Sequence, residues 1–442
     1  MFAGTWGGTM CLTEPHAGSA LDKLRTIATR QEDGSYRIVG NKCFISAGDQ
    51  DLTENIIHLV LARTPDAPKG TRGLSLFVVP SVREDQSPND VTVTALEEKM
   101  GLHGSPTCGL AFGDQGDCTG YILGGEGEGL RHMFLMMNEA RIAVGLQGVA
   151  IANLAYQLAL EYARERVQGV PAQSMRDVNA KEVAIIEHPD VRRMLLTMKA
   201  YSEGIRSLLL GTATFFDRAA IAESEAERDR YEDLINILTP ICKAYGSYRA
   251  FEVADLGIMV HGGYGYIREY KIEGLLRDVK IAAIYEGTNG IQALDLLGRK
   301  VARKGGKLFM TCVQWINELI ASAKDHPVVG ELAAQLSKSR DDLTGITMEL
   351  GTKSRGGDLV YPILSASPYL ELFGDVVVGR LLVEQALLAA NRLEEDVPPR
   401  MKRFYEAKIE TARFFVYQLL PRTGMLAQSI RSDDRSALNI QF

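Results

Sequence analysis

Residues Gly124–Gly148 read GGEGEGLRHMFLMMNEARIAVGLQG, and the change of pattern inside this stretch decides the fold. After the glycines, apolar side chains recur at Leu130, Met133, Phe134 and Met137, the i, i+3, i+4, i+7 spacing of one helical face. Before them lie short β-branched and aromatic runs, SYRIVGNKCFISA, IIHLVLART and LSLFVVPSV, separated by turns such as Glu32-Asp33-Gly34-Ser35 and Pro65-Asp66-Ala67-Pro68. The glycines are a strand-to-helix linker. They lack the G-x-G-x-x-G order, and the alternating strand-helix pattern of a dinucleotide fold is missing.

Working outward, the chain reads as α+β: a β-barrel or sandwich-like domain over residues 1–125, an α-helical bundle over 126–300, and a helical C-terminal extension over 301–442. A helix starts near Pro189, a favoured first-turn residue, and continues through Val191, Met194, Leu195 and Met198. The charged run Glu223 to Glu232 reads as a connection, and Val279 to Leu297 as a further helix. Gly305-Gly306 mark a break, and DVVVGRLLVEQALLAANRLEE and MKRFYEAKIETARFFVYQLL are amphipathic helices ended by Pro398-Pro399 and Pro421. At the other end, Gly4, Gly7 and Gly8 read as a loop.

With 442 residues, 46% hydrophobic, 24% charged and a net charge of -7, the composition is that of a globular protein rather than a disordered one. An acidic chain argues against a nucleic-acid or anionic-membrane partner, since such binding rests on clustered Lys and Arg. The most apolar segment, Ile142 to Leu160, is interrupted by Gln147, Asn153 and Gln157, so no membrane span is expected. Cys11, Cys43, Cys108, Cys118, Cys242 and Cys312 lie far apart, with neither CxxC nor Cys/His ligand spacing; no metal site or disulfide framework is signalled, and a cytoplasmic location is expected.

One acid stands out. In IYEGTNGIQ (Ile284 to Gln292), Glu286 sits between apolar flanks and a small Gly287. Such a carboxylate is either in an ion pair, with Arg277 the candidate, or a base whose proton affinity burial has raised. TEPHAGS (Thr13 to Ser19) is either a plain turn-rich loop or a site for a polar cofactor edge. HGGYGY (His261 to Tyr266) is either an interhelical turn or a close approach of backbone to a flat or phosphorylated ligand. Asn138 and Arg141 are i, i+3 on the first long helix, and Arg141 suits a phosphate or ribose.

Taken in order, MCLTEPHAGS, KCFISAG, EKMGLHGSPTC, MMNEARIAVGLQG, YARERVQG, VHGGYGYIRE and LLRDVKIAAIYEGTNGIQALDLLGRK resemble the acyl-CoA dehydrogenase family. The resemblance is close from Met10 to about Lys300. The helical tail is similar to that of the larger subgroup that includes 3-methylmercaptopropionyl-CoA dehydrogenases. It implies FAD, an acyl-CoA substrate and oxidation to the trans-2-enoyl-CoA as in fatty acid β-oxidation, with electron-transfer flavoprotein as acceptor and a homodimer or tetramer as the assembly.

Glu286 matches the family's catalytic base. Thr13, Phe44, Ser46, Gly262, Gly263 and Thr288 match FAD-contact positions, and Arg166 with Gln168 matches a segment that binds the FAD of a neighbouring subunit. Ser19, Asn138 and Arg141 match positions that hold the CoA moiety, Ser19 also touching the flavin side. Ala20, Phe44 and Arg268-Glu269-Tyr270 depart from the usual Asp, Trp and acidic-Thr residues. Nothing in the chain matches the helical domain that precedes the β domain in the family. Two functions follow as expectations: a flavin-dependent acyl-CoA dehydrogenase, or a non-catalytic fragment or assembly partner lacking that N-terminal wall.

Overall fold

The computed structural model describes residues 3–442, in two compact units that meet in sequence between Ala140 and Arg141. The first unit is built from eight strands: β1 (Trp6–Cys11), β2 (Ile27–Arg30), β3 (Tyr36–Ser46), β4 (Asn55–Arg63), β5 (Leu74–Pro80), β6 (Val91–Leu96), β7 (Thr107–Phe112) and β8 (Thr119–Leu123). They run in the order β1-β4-β5-β8-β3-β7-β6. β2 pairs antiparallel with β3 and touches β4 at Ile27 and Arg63, so β4, β5, β8, β3 and β2 close into a ring. This is the expected β-barrel-like domain.

Period-two alternation explains the near-continuous apolar runs. Along β4 and β5, Val60, Ala62, Phe77 and Val79 enter one cluster with Tyr36, Ile38 and Phe112, while Leu61, Leu74 and Leu76 enter another with Ala17, Leu24, Met133 and Met137. Both faces are buried. Gly7 and Gly8 belong to β1, which pairs parallel with β4, and are not in a loop. A Cβ at Gly7 would lie 3.0 Å from Gln50 Nε2 and 3.1 Å from Thr53 Oγ1, so glycine lets that loop cross the strand.

The second unit is helical: the continuation of α1 (Gly129–Glu165), then α2 (Pro189–Ala220), α3 (Glu225–His261), α4 (Ile272–Lys280), α5 (Asn289–Asp295), α6 (Lys307–Ala323), α7 (Gly330–Arg355), α8 (Val360–Leu393), α9 (Pro399–Phe414), α10 (Arg422–Arg431) and α11 (Ser436–Asn439). Pro189 opens α2 as expected. The charged run is not a connection but the first turns of α3, capped by Ser224, whose hydroxyl accepts from Glu227 N–H at 3.2 Å. The helix expected over 279–297 is broken, because Glu286 and Gly287 both take positive φ.

One continuous core runs from Val144 through the bundle to Ile430 of α10, so the C-terminal helices share their apolar interior with the bundle. By length and composition alone α1 is sufficient to cross a membrane. Its Ala152, Ala155, Ala159 and Ala163 are fully buried in that core, as in the interior helix of a globular unit.

Candidate active site

Glu286 occupies a turn between the short 3-10 stretch Ile281–Ala283 and α5. Its φ is +55°, a conformation that L-residues with a side chain rarely adopt, and Gly287 follows at +81°. Three groups impose this shape. Thr288 caps α5 through its hydroxyl, which accepts from Ile291 N–H at 3.2 Å; fully buried Gln292 donates its amide to the carbonyls of Glu286 and Gly287; and Tyr285 hydrogen-bonds Gln147. A side chain at 287 would meet Gln292 Nε2 at 2.7 Å, which is why glycine stands there.

What the turn leaves unpaired matters most. Among the described residues the Glu286 carboxylate makes no hydrogen bond or ion pair, and its backbone N–H donates to no acceptor. Arg277, the ion-pair candidate from the sequence, is instead on Glu273 at 2.7 and 2.9 Å. Burial pushes the Glu286 carboxyl above its ordinary range, partly offset by the ammonium of Lys243 and the guanidinium of Arg141. Strain at an uncommitted, half-buried acid is a functional signature.

Both cations are themselves buried. Arg141 is only 4% exposed and donates to Asp295 at 3.1 Å, so its guanidinium is turned inward on an ion pair and not presented to solvent. Lys243 of α3 is fully buried and donates to Asn289 Oδ1 at 3.0 Å. Burial pulls its ammonium down to about 7, with Glu286 acting against the fall.

Two further sets come together. Arg166 donates to Gln168 Oε1 at 3.1 Å in the loop after α1, and its guanidinium lies 5.8 Å from the ring centroid of Tyr264, inside the glycine turn Gly262–Tyr266. Gly262 has φ +61°, and a Cβ at either Gly262 or Gly263 would meet nothing within 4 Å, so this backbone faces open space. In the β unit, the Thr13 carbonyl accepts from Cys43 N–H at 3.0 Å, which sets Thr13 beside Phe44. Phe44 sits at a bulge where the β3–β7 register shifts between Lys42 and Ile45; it has φ +59° and is 63% exposed. Ser46 and Ser19 are exposed and Asn138 is half-buried.

Three family models match: the acyl-CoA dehydrogenase middle domain over residues 9–115, the acyl-CoA dehydrogenase C-terminal domain over 127–301, and an acetyl-CoA dehydrogenase C-terminal-like domain over 312–441. A 3-methylmercaptopropionyl-CoA dehydrogenase of Ruegeria pomeroyi is 44% identical across 95% of this chain and 71% of its own length. The chain belongs to the acyl-CoA dehydrogenase family. It is accordingly an enzyme of that class, an oxidoreductase. A butyryl-CoA dehydrogenase of Syntrophomonas wolfei is 39% identical over 99% of this chain and 73% of the relative. An acyl-CoA dehydrogenase of Bacillus anthracis, solved complexed with FAD, shares the fold at TM-score 0.76 and 21% identity, over 97% of this chain and 70% of that one.

Within this acyl-CoA dehydrogenase, sequence reasoning missed Lys243, Asn289, Gln292 and Asp295 as members of the Glu286 surroundings. Lys243 carried a signal, as the lone cation in the apolar run ILTPICKAYG. Gln292 lay inside the quoted motif, yet its contact with Glu286 needs the chain to turn back on itself.

Proposed function

We propose that the protein is an FAD-dependent dehydrogenase that removes the α-proton of an acyl-CoA thioester with Glu286 and yields the trans-2-enoyl-CoA. The observation that carries this reading is the Glu286 turn: an uncommitted carboxylate of raised proton affinity beside its own unpaired backbone N–H. A carboxylate removes a weakly acidic α-proton only when the enolate charge that develops on the thioester oxygen is stabilised. The Glu286 N–H, held in direction by the left-handed φ, is the donor this chain offers for that oxygen. The carboxylate takes the proton, and the buried surroundings exclude water that would compete for it.

FAD is the cofactor, and the chemistry it supplies when bound is to accept the β-hydrogen as hydride. Features of this chain fit it. Phe44 offers an exposed aromatic face with Thr13 and Ser46 hydroxyls nearby in the chain fold, and the Gly262-Gly263 backbone is open to close approach. Thr288, next to Glu286, completes the cofactor set; Arg166 and Gln168 reach the FAD of a second subunit, which makes the assembly a homodimer or tetramer. Ser19, Asn138 and Arg141 serve the CoA moiety, Arg141 through the electrostatics of its buried pair. Electrons pass on to an electron-transfer flavoprotein. The 1–125, 126–300 and 301–442 divisions are proposed as the modules of this architecture.

The test is anaerobic. FAD-reconstituted protein is mixed with a panel of acyl-CoAs and flavin absorbance is followed, with Glu286→Gln alongside. Bleaching in wild type and none in the variant is the expected result; flavin that stays oxidised with every thioester overturns the reading.

A further inference from the structure

We propose that Lys243 is a positioning residue for Glu286: a buried ammonium, held on Asn289 at the start of α5, that supplies the positive charge against which the Glu286 carboxylate is set. The proposal rests on Glu286 being the proton acceptor.

The geometry is unusual for a lysine. Lys243 is fully buried, donates to the neutral Asn289 amide at 3.0 Å, and forms no ion pair with a carboxylate among the described residues. A buried cation without a counter-charge is strongly disfavoured, because desolvation is not offset. The carboxylate whose charge acts on Lys243 is that of Glu286, three residues before Asn289. Asn289 is itself locked: its Nδ2 donates to Ser247 Oγ at 3.0 Å and to the Ala244 carbonyl at 3.3 Å, both on α3 beside Lys243. This cluster ties the lysine to the turn that carries the acid, so neither charge moves independently of the other.

The other groups facing Glu286 are already committed. Arg141 of α1 is on Asp295, which also takes Arg299 at 3.2 Å, and Tyr285 of the turn is on Gln147. Lys243 and Glu286 each favour the charged form of the other while burial disfavours both, so the two titrate as a linked pair. A thioester that covers the carboxylate deepens its desolvation, and Lys243 opposes this wherever it carries its proton, up to about neutral pH.

The test compares Lys243→Met, of similar volume but uncharged, with Lys243→Arg. The first readout is the infrared carboxyl band of Glu286 against pH, identified by its loss in Glu286→Gln. Loss of the ammonium should move the midpoint to higher pH in the Met variant and leave it near wild type in the Arg variant. Substrate-dependent flavin reduction by the Met variant should be about tenfold slower below neutral pH and recover as pH rises. If Met folds poorly, Lys243→Gln makes the same comparison. An unchanged Glu286 midpoint in the uncharged variants would falsify the proposal whatever the rates do. A shifted midpoint without reduction by any acyl-CoA, in wild type too, would instead sink the dehydrogenase reading and leave the coupling standing.

Discussion

The side-chain amide of Gln292 donates to the main-chain carbonyl of Glu286 at 3.2 Å, and to that of Gly287 at 3.4 Å. A fully buried glutamine thus clamps the two left-handed residues that aim the candidate base. Replacing it with Leu keeps the volume and removes both bonds, so about 1–2 kcal/mol of stability should be lost. The effect on flavin reduction should fall on the rate more than on the acyl-CoA concentration dependence, because the clamp orients Glu286 and does not bind substrate. Thermal unfolding together with single-turnover reduction checks this; equal loss in both kinetic parameters would argue against an orienting role.

Phe44 combines a φ of +59° with 63% exposure, a strained backbone and an uncovered ring that folding alone does not require. Phe44→Asn should relieve strain and raise the thermal midpoint of the cofactor-free protein, by an amount worth about 1 kcal/mol. The same change should weaken FAD retention, read by gel filtration of the reconstituted protein. Unaltered retention would remove Phe44 from the cofactor site.

Glu14 and Lys42 form a buried pair at 3.0 Å that anchors the Thr13–Ser19 loop. Lys42 also donates to the carbonyls of Leu12 and Leu61, while Thr26 and the Arg25 N–H donate to Glu14. Burial pushes the Glu14 carboxyl up, but Lys42 and these donors outweigh it and hold it below its ordinary value of 4.5. A carboxylate depressed on folding stabilises the protein above that ordinary value, and the contribution is lost as pH falls through the lower folded-state value. Glu14→Gln should therefore cost about 3 kcal/mol at neutral pH, and the difference from wild type should shrink in acid. Thermal midpoints measured across that range decide it.

Asp375 of α8 is buried on Tyr245 of α3 at 2.7 Å and on Arg422 of α10 at 2.8 Å, and a Cβ at the adjacent Gly374 would lie 2.1 Å from Tyr245 Cδ2. Tyr245 is two residues from Lys243, so the C-terminal helices are locked to the helix that supports the Glu286 turn. Asp375→Ala leaves the buried Tyr245 hydroxyl without its acceptor and Arg422 with Glu371 alone, at 3.3 Å, and should destabilise by about 2–3 kcal/mol. Gly374→Ala should be nearly as damaging through overpacking. Hydrogen exchange is expected to quicken in α8 and α3 together; faster exchange confined to α8 would show that the extension is not coupled to the bundle.

The sequence by itself determined the order of the fold. The period-two runs gave β3, β4 and β5, the 3.6-residue spacing after Gly129 gave α1, Pro189 marked α2, and YEGTNGIQ singled out Glu286. These signals are local, carried by neighbours within one turn or one strand. It misplaced what depends on distant partners. Gly7 and Gly8 became a strand because β4 offers them a parallel edge, and the 279–297 helix broke because Gln292 and Thr288 hold Glu286 and Gly287 at positive φ. Only the tertiary structure decided that Arg277 turns to Glu273, that Arg141 pairs with Asp295, and that Lys243 is buried on Asn289, 46 residues further along the chain and close to the candidate base Glu286. Charge and desolvation act through space, and no spacing along the chain encodes which charges share one dry interior.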